Sequence, residues 1–418
     1  MIRRYLQETI LQSLNHFPAV LLTGARQVGK STLAQGLIET SWKANYFTLD
    51  DRITLDGALK DPDGFIESLP TPAVIDEVQR APDLLRSIKR KIDRERRPGQ
   101  YLLTGSANIL RLSTVFETLA GRIALHTLHP FCWPELLEKP IPDILDYLFR
   151  GVDSKKLLKT YSKTYPKEYK SKLIERILRG GYPTPALMDS DHVRWQWFSS
   201  YRQTYLERDL LNIRSIEHLP DFNRLLSLVA LRTARLLNLS DFSRETGLPF
   251  TTLRRYMNLL EVTYQIYFIR PYFSHPGKRL IKTPKLYFND TGMACHLIGA
   301  NDWKVLENQA NVGPMVETWV ASELLKLLSL KGDQFKLYFW RTQTGHEVDF
   351  LIEWAGRFIA IEVKWGHSID ESEIKNLKRL AEELKDKLLF TVVLYSGKEL
   401  IPFNPKTVVM PFPTFFGI

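Results

Sequence analysis

Residues 17–32 read FPAVLLTGARQVGKST, and this stretch decides the fold of the first part of the chain. Phe17 to Leu22 is a short apolar run of the kind that forms a buried strand. Gly24-Ala25-Arg26-Gln27-Val28-Gly29-Lys30-Ser31-Thr32 is a complete phosphate-binding loop, and a helical pattern follows. A loop built on Gly24 and Gly29 lets successive backbone N–H groups converge on phosphate oxygens. Lys30 supplies a point charge to the outer phosphates, and the Ser31 hydroxyl can hold Mg²⁺. The expected cofactors are therefore ATP and Mg²⁺, with Gly24 to Thr32 as the binding residues.

Working outward, further apolar runs recur at Tyr46 to Leu49, Ala73 to Ile75, Tyr101 to Leu103 and Ile123 to Leu125, with helical segments between them. Buried parallel strands have this appearance. Leu84, Leu85, Ile88 and Ile92 fall at helical spacing among basic residues, which predicts a crossover helix. Asp76 and Glu77 end the third run, where an open α/β sheet delivers side chains to its ligand crevice. Asp76 is expected to hold Mg²⁺, and Glu77 to polarise the water that attacks the γ-phosphate. After the fourth run, Ser106 or Asn108 is placed to position that water. Arg122, just before the fifth run, reads either as a cation for transition-state charge, on a neighbouring subunit's nucleotide, or as a structural salt bridge.

The chain has 418 residues, enough for two or three cores, and a formal charge of +10, which suits a polyanionic partner. Its two cysteines, Cys132 and Cys295, lie far apart and lack the close Cys or His neighbours of a metal clip or disulfide framework. A reducing cytoplasm fits, and no apolar run approaches a membrane span, so no membrane partner is expected. Seven lysines between Lys155 and Lys172 crowd a segment with three tyrosines, read as a solvated linker helix broken near Pro166. The break Gly180-Gly181-Tyr182-Pro183 punctuates a domain change.

Leu239 to Glu261 reads as two helices around Gly247-Leu248-Pro249, a helix-turn-helix. Phe242, Leu248, Leu253, Met257 and Leu260 are expected inside; Arg244, Thr251, Thr252, Arg254 and Arg255 outside, the last two available to nucleic acid. Ile266 to Ile269, a basic tip at Ser274 to Arg279, and Lys285 to Phe288 suggest a β-hairpin wing. DNA is the expected macromolecular partner, although such units also serve as protein–protein modules.

Near the C-terminus, Glu347 to Ile352 and Phe358 to Lys364 both alternate like strands about the turn Ala355-Gly356-Arg357. A register with Asp349 opposite Glu362 makes Ala355-Gly356 a two-residue hairpin turn and brings two carboxylates within reach of one cation. Adjacent carboxylates repel, so a divalent ion is their expected remedy, a second Mg²⁺ or Mn²⁺. Lys364 would orient a water or stabilise phosphorane charge. Glu317 lies on an apolar helical stripe with Val320, Ala321, Leu324 and Leu328, and is expected to reach the hairpin as a further ligand.

Taken together, GARQVGKST, VIDE, LTGSAN, LAGR, GGYP, YLERDL, EVDF and IEVK resemble the prokaryotic AAA-superfamily ATPases whose C-terminal half is a domain of unknown function with a restriction-endonuclease-like fold. The resemblance implies an α/β fold: an AAA-type P-loop NTPase with a parallel sheet (1–135), a connector or lid (136–191), a helical and winged-helix region (192–300), and a C-terminal PD-(D/E)xK nuclease-like α/β domain (301–418). It places Glu317, Asp349, Glu362 and Lys364 on the nuclease pattern, with His346 and Glu347 where that pattern has its proline. The resulting expectation is an oligomeric, DNA-associated ATPase coupled to a metal-dependent nuclease-type module. Its rival is a nucleotide-controlled switch whose C-terminal half binds DNA or a protein without cleaving it.

Overall fold

Strand β1 (Ala19–Thr23) is buried along its whole length, because it lies inside a parallel sheet with neighbours on both sides. Strands β2 (Asn45–Thr48), β3 (Ala73–Asp76), β4 (Tyr101–Thr104) and β5 (Ile123–Thr127) complete that sheet in the order β2-β3-β4-β1-β5. All of its pairings are parallel. Such sheets are covered on both faces, which is why the strands read as near-continuous apolar runs. The computed structural model describes residues 2–106, 121–161, 163, 165–166, 168–204, 218–273, 283–366 and 371–418, the side chains of 371–373 excepted.

Among the described residues, five helices belong to this sheet: α1 (Leu6–Leu14), α2 (Lys30–Thr40), α3 (Arg52–Lys60), α4 (Pro62–Ser68) and α5 (Leu84–Arg94). Asp51 and Asp61 start α3 and α4 by accepting from the amides of Thr54 and Gly64 at 2.8 and 2.9 Å, each satisfying an orphan N–H of the first turn. Along α5, Leu84, Leu85, Ile88 and Ile92 pack against Ile75, Leu103 and Ala19 in one core. The predicted crossover helix is thus present on the predicted face.

Two compact units divide the chain: Met1–Phe131 with Leu259–Gln265, and Cys132–Asn258 with Ile266–Ile418. The second contains a nine-stranded mixed sheet, ordered β13-β14-β12-β11-β10-β9-β7-β8-β6. Its strands are β6 (Arg235–Leu236), β7 (Ile266–Pro271), β8 (Lys285–Phe288), β9 (Phe335–Arg341), β10 (Glu347–Trp354), β11 (Arg357–Lys364), β12 (Leu388–Tyr395), β13 (Ile401–Asn404) and β14 (Thr407–Pro411).

Separate middle and C-terminal domains were expected, yet the hairpin strands β7 and β8 continue the C-terminal sheet. The physical reason is a short parallel pairing, Arg270↔Tyr338 and Pro271↔Phe339, that joins β7 to β9. The lysine-rich segment is likewise packed into this unit rather than a free linker. In its helix Tyr169–Arg179, Leu173 and Ile177 are fully buried, and the Tyr169 hydroxyl donates to the Gly397 carbonyl at 2.5 Å.

On one face of the large sheet, Val348, Leu351, Phe358 and Ala360 meet Ile374, Leu377 and Leu380 of the helix Glu371–Leu384. β10 and β11 form the predicted antiparallel hairpin, with Trp354↔Arg357 as its last pair. Ala355 and Gly356 both have positive φ, 50° and 74°, as a two-residue I′ turn demands.

Ile75 is fully buried at the centre of the first core. Ile75→Ala is expected to destabilise the first unit by about 2–5 kcal/mol, read as a lower denaturant midpoint.

Candidate nucleotide site and carboxylate cluster

At the C-terminal end of β1 the chain turns into the glycine loop, and the backbone shows why glycine is needed. Gly24 has φ +144°, and a Cβ there would lie 2.3 Å from the Leu128 carbonyl oxygen. Gly29, with φ 92°, caps α2, so that the amide end of this helix faces the loop. Gln27 also takes a positive φ, 65°, within the same turn. From beneath, Arg4 holds the loop: its guanidinium donates to the carbonyls of Val28 at 3.0 Å and His129 at 2.6 Å. Ala25 and Val28 are buried, whereas Arg26 is partly exposed and Gln27 and Thr32 are exposed.

Lys30 is 5 % exposed and donates to the carbonyls of Gly24 and Ala25 at 3.1 and 2.9 Å. Burial depresses its pKa to about 8 against the pull of Glu77 and Asp76, with Arg26 adding to the depression. An anion at the loop mouth would oppose that depression.

The loop and the end of β3 meet at Asp76. The Ser31 hydroxyl donates to both Asp76 oxygens, at 3.0 and 2.9 Å, and the Tyr46 hydroxyl donates to Oδ2 at 2.8 Å. Thr104 donates to Oδ1 and also accepts the Glu77 amide at 3.1 Å. Burial, then the bond to Asp76, pushes the Tyr46 phenol upward, so it stays a donor. Ser31 and Asp76 are therefore placed as a hydroxyl–carboxylate pair that fits an octahedral Mg²⁺ with its water shell.

Glu77 adopts a left-handed backbone, φ 60°, uncommon for a side chain of this kind and a frequent mark of functional positions. Its carboxylate accepts from the Gln79 amide, which also donates to Ser106 Oγ at 2.9 Å. Glu77 and Ser106 are thus brought together through Gln79. Asn108 lies outside the described residues.

Arg122 is not brought to this site. Residue 122 precedes β5, whose pairing Ala19↔Ile123 puts it at the sheet edge opposite the loop, and it forms a 2.5 Å ion pair with Asp93. Within the first unit, the Tyr264 hydroxyl donates to Thr23 Oγ1 at 2.8 Å, immediately before the loop.

The second unit gathers its own carboxylates. The β10–β11 ladder runs to Phe350↔Ile361, and side chains take over where Asp349 would face Glu362. Asp349 accepts the Val363 amide at 2.9 Å, and a Glu362 oxygen lies 3.4 Å from the Asp349 amide. A register irregularity between Val348 and Leu351 against β9 brackets Asp349, the kind of bulge that re-aims a side chain. Lys364 pairs with Glu362 at 3.0 Å.

The expected metal set of Glu317, Asp349 and Glu362 requires correction. Lys285 of β8, 3 % exposed, lies 2.8 Å from Glu317, 2.5 Å from Glu347 and 3.7 Å from Asp349. A protein ammonium, rather than a divalent ion, relieves the repulsion. Among the described residues no group of three or more His, Cys, Asp or Glu is arranged to hold a metal. A second Mg²⁺ or Mn²⁺ does not fit the residues as they stand. Burial works to lower the Lys285 pKa, but Glu317, Asp349 and Glu347 overcome it and the net shift is upward. Burial, then the Asp349 charge, raises Glu317 to about 7 and Glu362 to about 8.

The helices Leu239–Thr246 and Phe250–Val262 form as predicted. Phe242, Leu248, Leu253, Met257 and Leu260 are buried, while Thr251, Arg254 and Arg255 are exposed and Thr252 is partly so. Arg254 rests over the exposed Phe250 ring, 4.5 Å from its centroid.

Residues 16–137 match the AAA domain. The first unit is accordingly an α/β unit whose parallel sheet resembles that of AAA-type P-loop ATPases. Residues 170–304 match one domain of unknown function, DUF8612, and residues 312–415 another, DUF4143. Over 411 residues the chain is 29% identical to the uncharacterized protein Rv2008c of Mycobacterium tuberculosis, covering 98% of this chain and 83% of that one. It is 23% identical over 405 residues to the uncharacterized protein MJ1544 of Methanocaldococcus jannaschii, covering 92% and 84%. A solved structure, the Walker-type ATPase PABY2304 of Pyrococcus abyssi, is 16% identical, with a TM-score of 0.44 over 71% of this chain and 96% of that one. Among the described residues no helix is long and apolar enough to cross a membrane.

Arg4, Tyr46, Gln79 and Tyr264 were not found from sequence. Lys285 was read only as a wing residue, although a lysine alternating with Tyr287 on a buried strand signals an acidic partner.

Glu317 and Glu362 keep their protons to about pH 7 and 8 when folded, and lose them near the ordinary glutamate value of 4.5 when unfolded. Between those limits the folded unit binds more protons, so its stability falls as pH rises. Urea midpoints at roughly pH 5 and pH 8 should differ less in Glu362→Gln, which cannot ionise, than in wild type.

Proposed function

We propose that this protein binds ATP at Gly24 to Thr32, hydrolyses it, and uses the nucleotide state to control a DNA-associated C-terminal half that does not cleave. The observation that carries the ATPase reading is the convergence of Ser31 on Asp76 beside the buried Lys30. Lys30 exchanges the loop carbonyls for outer phosphate oxygens. Ser31 and Asp76 would hold Mg²⁺, which would neutralise charge on the phosphates. Glu77 takes the proton of the attacking water, with Gln79 and Ser106 setting the orientation of its carboxylate.

Arg122, at the sheet edge opposite its own loop, acts on a nucleotide only in another copy of the chain, so a homo-oligomer is part of this reading. DNA is met by the exposed face of helix Phe250–Val262, with Arg254 and Arg255 on phosphates or base edges. The order of β6, the two helices Leu239–Thr246 and Phe250–Val262, and the antiparallel β7 and β8 supports a winged-helix reading of this region.

The nuclease-coupled reading shares the ATPase and the restriction-endonuclease-like PD-(D/E)xK fold, and would use Lys364 at the cluster. The buried Lys285 among Glu317, Glu347 and Asp349 favours the non-cleaving switch instead.

Lys30→Ala is expected to lower ATP turnover by about 100-fold or more. Glu77→Gln should keep nucleotide binding and lose roughly 10²–10⁴-fold in turnover. Unchanged steady-state hydrolysis in either variant would refute the site. Replacing Arg254 and Arg255 with Glu should weaken binding to a DNA duplex and flatten its dependence on salt concentration; equal affinity in a salt titration would remove DNA from this helix.

A further inference from the structure

Lys285 enters the carboxylate cluster from β8, while the acids come from helix Val312–Ser329 (Glu317) and from β10 (Glu347, Asp349). Its ammonium lies where an ion bridging Glu317 and Asp349 would have to lie. One oxygen of each of these acids is also engaged by another group. Glu317 Oε1 accepts from Lys285 at 2.8 Å and from the Tyr287 hydroxyl at 2.6 Å. Asp349 Oδ2 accepts the Val363 amide at 2.9 Å, and Glu347 Oε2 is paired with Arg341 at 2.5 Å. Glu362 is paired with Lys364 at 3.0 Å.

Charge points the same way. Lys285, Arg341 and Lys364 face Glu317, Glu347, Asp349 and Glu362, which leaves little net negative charge to strip a divalent ion of its strongly held water. Lys285 is too deeply buried to leave by a side-chain rotation into solvent, so its position is set by where β8 lies in the sheet.

We propose that Lys285 is the built-in cation of this cluster: a plug, carried by the strand β8, that closes the Glu317–Asp349–Glu362 site to divalent metal. The proposal deepens the non-cleaving reading of the C-terminal half and rests on it. With the ammonium removed, Glu317, Glu347 and Asp349 lose their shared counter-ion and become a site that a hard dication relieves.

The test uses the full chain without nucleotide and Mn²⁺ alone as the probe, followed by electron paramagnetic resonance and by thermal unfolding. Wild type should show no saturable Mn²⁺ that Glu317→Gln removes, and no Mn²⁺-dependent rise in Tm beyond that of Glu317→Gln. Lys285→Ser should have a lower Tm than wild type, regain it as Mn²⁺ is added, and bind Mn²⁺ saturably; adding Glu317→Gln to it should abolish both effects. Lys285→Arg, which keeps the charge, should stay closed. A folded Lys285→Ser that takes up no Mn²⁺ overturns the proposal. Should Lys285→Ser not fold, wild type against Glu317→Gln still decides, because Mn²⁺ bound by wild type at a Glu317-dependent site overturns it as well. ATP turnover does not enter either readout, so failure here is separable from failure of the nucleotide assignment.

Discussion

Asp76 is 4 % exposed, and a carboxylate so placed costs several kcal/mol unless it is fully hydrogen-bonded. Ser31, Tyr46 and Thr104 supply those bonds, and each comes from a different element: α2, β2 and β4. The carboxylate therefore fixes the relative positions of the glycine loop, the edge strand and the strand that carries Ser106. A parallel sheet makes this possible by delivering the C-terminal ends of β1, β2, β3 and β4 to one rim. Displacing Asp76 would release the loop, the backbone turn at Glu77 and the Thr104 bond together.

The two acidic sites differ in what satisfies them. In the first unit, neutral hydroxyl groups donate to Asp76, leaving its negative charge available to an incoming cation and to its hydrated shell. In the second, Lys285 and Arg341 lie directly against Glu317 and Glu347, and Lys364 against Glu362. Breaking a buried pair by removing one partner leaves the other charge uncompensated, which is strongly destabilising. Lys285 consequently binds β8 to both the Val312–Ser329 helix and β10, and the same contacts that stabilise this junction deny the acids to a metal. Similar residue types thus yield a cation-ready site in one unit and a closed ionic junction in the other.

Local patterns made most elements legible. The apolar runs became β1 to β5, the helical spacing of Leu84 to Ile92 became α5, and Ala355-Gly356 became the turn of the β10–β11 hairpin. Inside and outside residues of the helix pair around Gly247-Leu248-Pro249 were equally readable. What was not legible is that two residue pairs between β7 and β9 join the strands of the middle region to the C-terminal sheet. Nothing in the local sequence encodes which strand edge another strand will choose.

By itself the sequence determined the phosphate loop, the acidic end of β3 and the alternation that pairs Asp349 with Glu362. These depend on spacing within a few residues, where backbone geometry leaves few alternatives. Only the tertiary structure decided that Arg4 supports the loop, that Tyr46 and Thr104 complete Asp76, that Arg122 lies at the far edge, and that Lys285 fills the carboxylate cluster. Each of those contacts joins residues 24 or more positions apart or turns on strand order, and a charge's role is set by the partner that folding brings to it.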